Sequence, residues 1–172
     1  MHRTAKAVAL VVLLTTSLAA QAPGRPTIFL VRHAERADAS GATPMSGSDP
    51  DLSDAGKRRA ESLATMLKDA GVTTIYVTEF KRTQQTAAPL AQQAGVMAVT
   101  INADHTADLV AKIKGATGSG NILVVGHSNT VPEVIKSLGV TTPITIGDND
   151  FDNLFVITQN GTTRRFVRLH YR

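Results

Sequence analysis

The sequence of 172 residues contains no cysteine. This absence excludes a disulfide framework, a thiolate metal site and a cysteine nucleophile. It also excludes a lipid-modified cysteine at the N-terminus. A chain of this composition must be stabilised by its hydrophobic core alone.

Aromatic residues are scarce as well, with no tryptophan, two tyrosines and five phenylalanines. The net charge is only +4, and it falls further if the basic residues near the N-terminus are removed. Proteins that bind nucleic acid need basic patches and aromatic side chains on which bases can stack. The sequence therefore gives no case for a nucleic-acid partner.

The N-terminus has the layout of a secretory signal peptide. Arg3 and Lys6 precede an unbroken apolar run over residues 7–14, and Ala20-Gln21-Ala22 is a cleavage pattern. The alternative is a membrane anchor, but the run is short for a bilayer, which takes about 20 apolar residues. We expect residues 1–22 to be cleaved, leaving an exported periplasmic or secreted protein without stable membrane insertion.

The remaining residues, 23–172, fit one domain. Helix and strand patterns alternate along them in the order β-α-β-α-β-α-β-α-β-β. This predicts an α/β three-layer sandwich: a mostly parallel central sheet flanked by helices, with an antiparallel pair at one edge. Two apolar runs, residues 153–158 and 163–169, flank the hairpin signal Asn160-Gly161 and supply that pair. Residues 37–51 are predicted to form a mobile surface loop.

Helix start signals refine this pattern. Ser53 is expected to cap a helix whose apolar residues recur at helical spacing. Thr106 is expected to cap a second helix that continues to Lys114.

Three apolar runs lead to a cationic or titratable side chain within a few residues. They are residues 28–31 before Arg32 and His33, residues 122–125 before Gly126 and His127, and residues 75–77 before Arg82. If these strands are neighbours in one parallel sheet, the side chains meet at its carboxyl edge, where open α/β sheets bind ligands. Two histidines and two arginines at that edge favour a phosphate dianion.

Four motifs lie along these elements in order. They are Arg32-His33-Ala34-Glu35, the helix start Leu52-Ser53 with Gly56, Arg82 ahead of Thr83-Gln84-Gln85-Thr86-Ala87, and Gly126-His127. Together they resemble the histidine phosphatase superfamily, also called phosphoglycerate mutase-like. The resemblance covers roughly residues 27–169.

The resemblance implies a phosphatase that acts on a small phosphorylated substrate and needs no metal or cofactor. His33 would be the nucleophile that forms a phosphohistidine, while Arg32, Arg82 and His127 would hold the phosphoryl oxygens. His33 must be neutral to attack, whereas His127 is more useful protonated. We expect the nearby arginines to lower the pKa of both histidines and bound phosphate to raise it.

The resemblance also implies an acidic residue between the second arginine and the second histidine, which would protonate the leaving group. Asp104 is the first candidate for this catalytic role, and His105 and Asp108 are alternatives. A site with no general acid is the remaining alternative. Glu79 is interpreted as a structural partner of Arg82.

Arg36 is a further candidate for phosphate binding, because some members of the family have an arginine at this position. The alternative is a solvated loop arginine. Glu35 is interpreted as structural, orienting an arginine through an ion pair.

The short span between Arg82 and His127 leaves little chain to build a cap over the site. A mutase must protect its phosphohistidine from water, so an open site favours hydrolysis. The expected function is therefore phosphomonoester hydrolysis. The alternatives are a narrow phosphohistidine or sugar-phosphate phosphatase and a non-catalytic phosphate- or phosphoglycan-binding module; the sequence does not predict the oligomeric state.

Overall fold

Strands and helices alternate along the chain in the order that the sequence predicts. The computed structural model describes residues 24–40, 49–160 and 163–171. The strands are β1 (Ile28–Arg32), β2 (Val72–Val77), β3 (Ala98–Thr100), β4 (Asn121–Gly126), β5 (Asn153–Asn160) and β6 (Thr163–His170). The α-helices are α1 (Asp54–Leu67), α2 (Lys81–Ala94), α3 (Thr106–Gly115) and α4 (Thr130–Ser137). The predicted signal peptide lies outside the described residues.

The strands form one mixed sheet in the order β3-β2-β4-β1-β5-β6. The first four strands are parallel, while β5 is antiparallel to both β1 and β6. The predicted α/β architecture, with an antiparallel pair at one edge, is confirmed. The two central strands carry apolar runs, residues 28–31 of β1 and 122–125 of β4, as expected where helices cover both faces of the sheet.

Two hydrophobic clusters lie on opposite faces of the sheet and complete the three layers. Successive side chains of a strand point to opposite faces, so Leu123 and Val124 of β4 belong to different clusters. Helices α3 and α4 cover one face through residues such as Ile113 and Ile135. Helices α1 and α2 cover the other face. Burying each large aliphatic side chain stabilises the fold by about 1.5–3 kcal/mol.

The pairing of β1 with β4 sets the level at which both strands end. In this parallel register, Arg32 lies opposite Gly126. The next amide continues the ladder, since the backbone N–H of His33 donates to the Gly126 carbonyl at 2.9 Å. The residues that follow, His33 and His127, therefore leave the sheet side by side.

Gly126 is required by the packing of α4 against the end of β4. A Cβ atom at this position would lie 2.8 Å from Thr130 Oγ1 and 3.1 Å from Val131 Cγ2. The same Thr130 hydroxyl accepts a hydrogen bond from the His127 amide at 2.9 Å. The tight turn into α4 thus fixes the backbone of His127.

One of the two predicted helix caps is correct. Ser53 caps α1, because its hydroxyl accepts a hydrogen bond from the Gly56 amide at 3.1 Å. The prediction for Thr106 is wrong: it is already the first residue of α3, and His105 occupies the capping position without a side-chain bond. The Thr106 hydroxyl donates instead to the Ala103 carbonyl at 3.3 Å, in the preceding turn.

The predicted loop over residues 37–51 has regular structure at its start. Ala37–Ser40 forms a short 3₁₀ helix, and the Ala37 amide donates to the Asp51 carbonyl at 3.0 Å. A β-bridge joins Arg36 to Leu52. Residues 41–48 lie outside the described residues. Within the described ranges, no helix has the length and apolar character needed to span a membrane.

Candidate active site

The two histidines that follow β1 and β4 lie together at the carboxyl edge of the sheet. The ring centroids of His33 and His127 are 5.4 Å apart, with an angle of 63° between the ring planes. Both residues are buried, with relative exposures of 5% and 7%. The sheet therefore brings together the pair that the sequence predicts.

A backbone hydrogen bond fixes the protonation pattern of His33. Its Nδ1 lies 2.8 Å from the Ala34 carbonyl oxygen. A carbonyl oxygen only accepts, so Nδ1 carries the proton and Nε2 of the neutral ring keeps its lone pair. This is the tautomer in which Nε2 is a nucleophile.

The surroundings of His33 keep its ring neutral. Burial lowers the pKa of His33 to about 3, and the nearby charges of Arg82 and Arg32 act in the same direction. Burial rather than the arginines is the larger cause, which the sequence did not reveal. At neutral pH the free ring is ready to attack an electrophile.

His127 is held by a hydroxyl pair that the sequence interpretation missed. Its Nε2 lies 3.0 Å from Thr78 Oγ1, which in turn lies 3.0 Å from Thr83 Oγ1. The Thr83 hydroxyl also lies 2.8 Å from the Phe80 carbonyl, to which it can donate. Thr78 directly follows β2, the sheet neighbour of β4, so the sheet order brings it beside His127.

Burial lowers the pKa of His127 to about 4, and Arg82 adds to the effect, while Glu79 opposes it. His127 is therefore neutral at neutral pH in the protein alone. A bound anion would favour its charged form.

Arg32 is buried and Arg82 is partly buried near the histidines. Arg32 is 9% exposed, and its Nη1 donates to the carbonyls of Gly147 and Asp148 at 2.7 and 2.9 Å. Arg82 Nη1 lies 3.4 Å from a carboxylate oxygen of Asp49. The Nε atoms of both arginines are buried and have no hydrogen-bond partner within the described ranges. An unsatisfied buried donor costs about 1–3 kcal/mol, which an anion bound here would offset.

Two phenylalanines hold these guanidinium groups in place. The Arg32 guanidinium lies 4.2 Å from the centre of the Phe151 ring, and that of Arg82 lies 4.1 Å from the Phe80 ring. Phe80 also meets the His127 ring edge to face at 5.3 Å. These contacts limit how far each guanidinium can move.

Arg36 lies near Arg32 and Arg82, but its guanidinium is already paired with a carboxylate. Its guanidinium donates to both carboxylate oxygens of Asp38 at 2.8 and 2.6 Å, and its side chain is 35% exposed. Its positive charge lowers the pKa of both Arg32 and Arg82, so it lies on their side of the sheet. The structure thus brings Arg36 near the site but pairs it with a carboxylate.

The interpretation of Glu35 is confirmed. Its carboxylate forms a bidentate pair with Arg59, with distances of 2.7 to 2.9 Å. This pair joins α1 to the segment that follows β1.

The candidates predicted as general acids lie on an exposed surface. Asp104 and Asp108 have side-chain exposures of 81% and 73%, and each lies within 4 Å of the His105 ring. The structure groups these three residues with one another. Glu79 lies nearer the histidines: it follows Thr78 directly, and its Oε2 accepts a hydrogen bond from the Ala103 amide at 2.9 Å.

A metal centre would need a cluster of ligand side chains. Across residues 24–40, 49–160 and 163–171, no group of three histidine, aspartate or glutamate side chains is arranged to hold an ion.

Comparison with known proteins agrees with this arrangement. The family model described as histidine phosphatase superfamily (branch 1) matches residues 28–106. Over these residues, a little less than half of the sequence, the chain is similar to the histidine phosphatase superfamily. The match ends before His127, which the sheet nonetheless places beside the matched residues.

A relative described as a mutase aligns with part of the chain. The probable phosphoglycerate mutase GpmB of Yersinia enterocolitica is 36% identical over 73 residues, covering 42% of this chain and 34% of the mutase. This chain therefore aligns with only about a third of the mutase.

Solved structures share the fold. The protein histidine phosphatase SixA in complex with tungstate has a TM-score of 0.63 at 18% identity, covering 84% of this chain and 96% of SixA. The mycobacterial glucosyl-3-phosphoglycerate phosphatase in complex with VO₃ has a TM-score of 0.63 at 13% identity, covering 83% and 97%.

Proposed function

We propose that this protein is a phosphomonoester hydrolase that forms a phosphohistidine at His33. The observation that carries the proposal is the hydrogen bond from Nδ1 of His33 to the Ala34 carbonyl. It leaves Nε2 unprotonated near two arginines whose Nε atoms are buried without a partner in the described chain. A nucleophile surrounded by anion donors suits phosphoryl transfer, which depends on positioning and charge compensation.

The reaction proceeds in two steps. Nε2 of His33 attacks phosphorus, the P–O bond to the leaving group breaks, and the Nε2–P bond forms. Water then attacks phosphorus, the Nε2–P bond breaks, and phosphate is released. Dividing the reaction through a covalent intermediate replaces one difficult step with two easier ones.

Arg32, Arg82 and His127 hold the phosphoryl oxygens in both steps. The Nε atoms of the two arginines supply directed donors, and guanidinium groups stay protonated throughout. The phosphate dianion raises the pKa of His127, so that its ring can donate a proton to an oxygen. This charge compensation operates without a metal ion.

In this proposal, Arg36 is an additional phosphate ligand whose guanidinium is paired with Asp38. Its charge lies on the same side as the two arginines, but the carboxylate of Asp38 takes up two of its donors. It can reach phosphate only by giving up that pair.

Hydrolysis is favoured over mutase chemistry by the short chain between Arg82 and His127. Within that span, the described elements are α2, β3, α3 and β4, all of which belong to the sandwich itself. Little chain is left to exclude water from the phosphohistidine. Tungstate in SixA and VO₃ in the mycobacterial phosphatase are oxyanions, which supports an oxyanion ligand here too.

We further propose, from the sequence alone, that the protein acts after export. The basic and apolar segments before Ala22 support this location. The substrate would then be a small phosphate ester met outside the cytoplasm.

The test is turnover of p-nitrophenyl phosphate by the wild type and by His33→Ala, with and without a chelator. We expect the wild type to be active in the chelator and the variant to lose activity. The wild type should also incorporate phosphate in an acid-labile, base-stable bond, which is the signature of phosphohistidine.

His170→Ala is the matched control, because His170 is an exposed histidine on β6 with its Nδ1 3.1 Å from Asp152. It should keep wild-type activity. Full activity in His33→Ala would disprove the mechanism. Tight vanadate binding without turnover of any ester would identify a binding module instead.

A further inference from the structure

Breaking the ester bond generates charge on the leaving oxygen. Alkoxide leaving groups need a proton in the transition state, which a positioned carboxylic acid can supply. The carboxylates near the two histidines are therefore the groups to compare.

Glu79 lies in the segment after β2, and the residues on either side of it both contact the His127 ring. The residue before it, Thr78, places its hydroxyl 3.0 Å from His127 Nε2. The residue after it, Phe80, packs its ring against His127 with centroids 5.3 Å apart. Glu79 therefore belongs to the segment that contacts His127.

The backbone and side chain of Glu79 are both anchored. Its carbonyl accepts a hydrogen bond from Gln84 Nε2 at 3.0 Å, which ties it to α2. Its Oε2 accepts from the Ala103 amide at 2.9 Å. That bond uses one carboxylate oxygen and leaves Oε1 to carry a proton.

The electrostatic effect of Glu79 on His127 and Arg82 agrees with this position. Glu79 is the foremost of the carboxylates that raise the pKa of His127, and it also raises that of Arg82. Both Asp104 and Glu79 are exposed, but the described ion pair of Asp104 is with His105, whereas Glu79 adjoins the two residues that contact His127.

We propose that Glu79, rather than Asp104, is the general acid and base of this site. The assignment rests on the proposed phosphohistidine mechanism. In the first step the Glu79 carboxyl gives its proton to the leaving oxygen as the P–O bond breaks, which releases an alcohol. In the second step the Glu79 carboxylate takes a proton from the attacking water as the N–P bond breaks. The acid is thereby restored for the next turnover.

The experiment measures kcat/KM for a series of esters: p-nitrophenyl, phenyl and ethyl phosphate. Glu79→Gln is the test variant, since its amide oxygen can still accept from the Ala103 amide. We expect roughly a 10²-fold or greater loss with ethyl phosphate, typical of a lost general acid. The loss should be small with p-nitrophenyl phosphate, whose leaving group is stable as an anion.

Asp104→Asn is the matched control and should follow the wild type along the whole series. A leaving-group-dependent loss in Asp104→Asn would overturn the assignment, as would an equal loss with all esters in Glu79→Gln. The thermal unfolding midpoint of Glu79→Gln should match the wild type, so that a folding defect is separated from a lost proton donor. If His33→Ala stays active, the proposed function itself fails, and the role of Glu79 fails with it.

Discussion

The two ends of the central sheet both carry positive charge, but in different surroundings. At the amino end, Arg25, Lys114 and Arg164 line a cavity of about 230 Å³. All three are exposed; Arg25 donates to the Lys114 carbonyl at 2.8 Å. At the carboxyl end, Arg32 is buried and Arg82 is partly buried, and the buried Nε atoms of both find no partner in the described chain.

The two ends differ in how far their arginines are buried and in whether hydrogen-bond donors lack a partner, and not in the number of cations. Burial lowers the pKa of Arg32 and of Arg82, because it penalises a charge that lacks water. Solvated guanidinium groups at the amino end carry no such cost. An anion gains more by binding where the protein has already removed water from the donors.

Removing one arginine from each end of the sheet tests this difference most directly. Arg82→Ala should lower kcat/KM for p-nitrophenyl phosphate by roughly 10²–10³-fold, the usual effect of deleting one preorganised donor. Arg164→Ala should leave kcat/KM close to the wild-type value. Both values come from steady-state kinetics of the purified proteins, and equal losses at the two ends would refute the distinction.

Acid should destabilise the protein through its buried histidines. In the folded protein the pKa of His33 is about 3 and that of His127 about 4, both below the usual histidine value of 6.5. The unfolded chain therefore binds more protons between these limits, so stability is full above about pH 6.5 and is lost as the pH falls toward about 3. We expect a loss of about 2–4 kcal/mol between about pH 7 and pH 5, measured by urea unfolding.

The double variant His33→Asn with His127→Gln should remove most of this pH dependence. The matched control replaces the exposed His105 and His170 with asparagine and should keep it. If the control flattens the curve as much as the double variant does, the buried pair is not the source.

The smallest expected effect is at Asp49, a carboxylate beside Arg82 at the carboxyl end of the sheet. Asp49 accepts a hydrogen bond from the Lys81 amide at 2.9 Å and lies 3.4 Å from Arg82 Nη1. Asp49→Asn keeps an acceptor for that amide but removes the charge that competes with phosphate. Inhibition by inorganic phosphate should tighten about 1.5–5-fold, as for a partly exposed ion pair.

The control for this change is Asp69→Asn, at an exposed carboxylate that pairs with Lys68 at 3.9 Å. It should leave phosphate inhibition unchanged. Weaker phosphate inhibition in Asp49→Asn would mean that Asp49 supports the pocket instead of competing for it.

The fold and the pairing of His33 with His127 were predictable because both depend on local signals. A buried strand is recognised by its apolar run, and the residue that ends it is then known. When two such strands are parallel neighbours in a sheet, their carboxyl ends lie side by side. The Ser53 cap was predictable for the same reason, since its partner Gly56 lies three residues away.

Other features depend on contacts that the sequence does not encode locally. Thr78 reaches His127 only because β2 and β4 are neighbours in the sheet. Phe151 covers Arg32 from a distant part of the chain, with no pattern to link the two. Asp104 fits the expected position of an acid in sequence, yet its side chain points into solvent. Exposure and side-chain direction are set by the tertiary fold.

The bond between the His33 amide and the Gly126 carbonyl has a consequence for the geometry of the site. It makes the paired histidines a property of strand register, and a slip of one residue would turn His127 to the other face. The distance between the two histidines therefore depends on how β1 and β4 pair, while the placement of Arg32 depends on the loop that carries Gly147, Asp148 and Phe151.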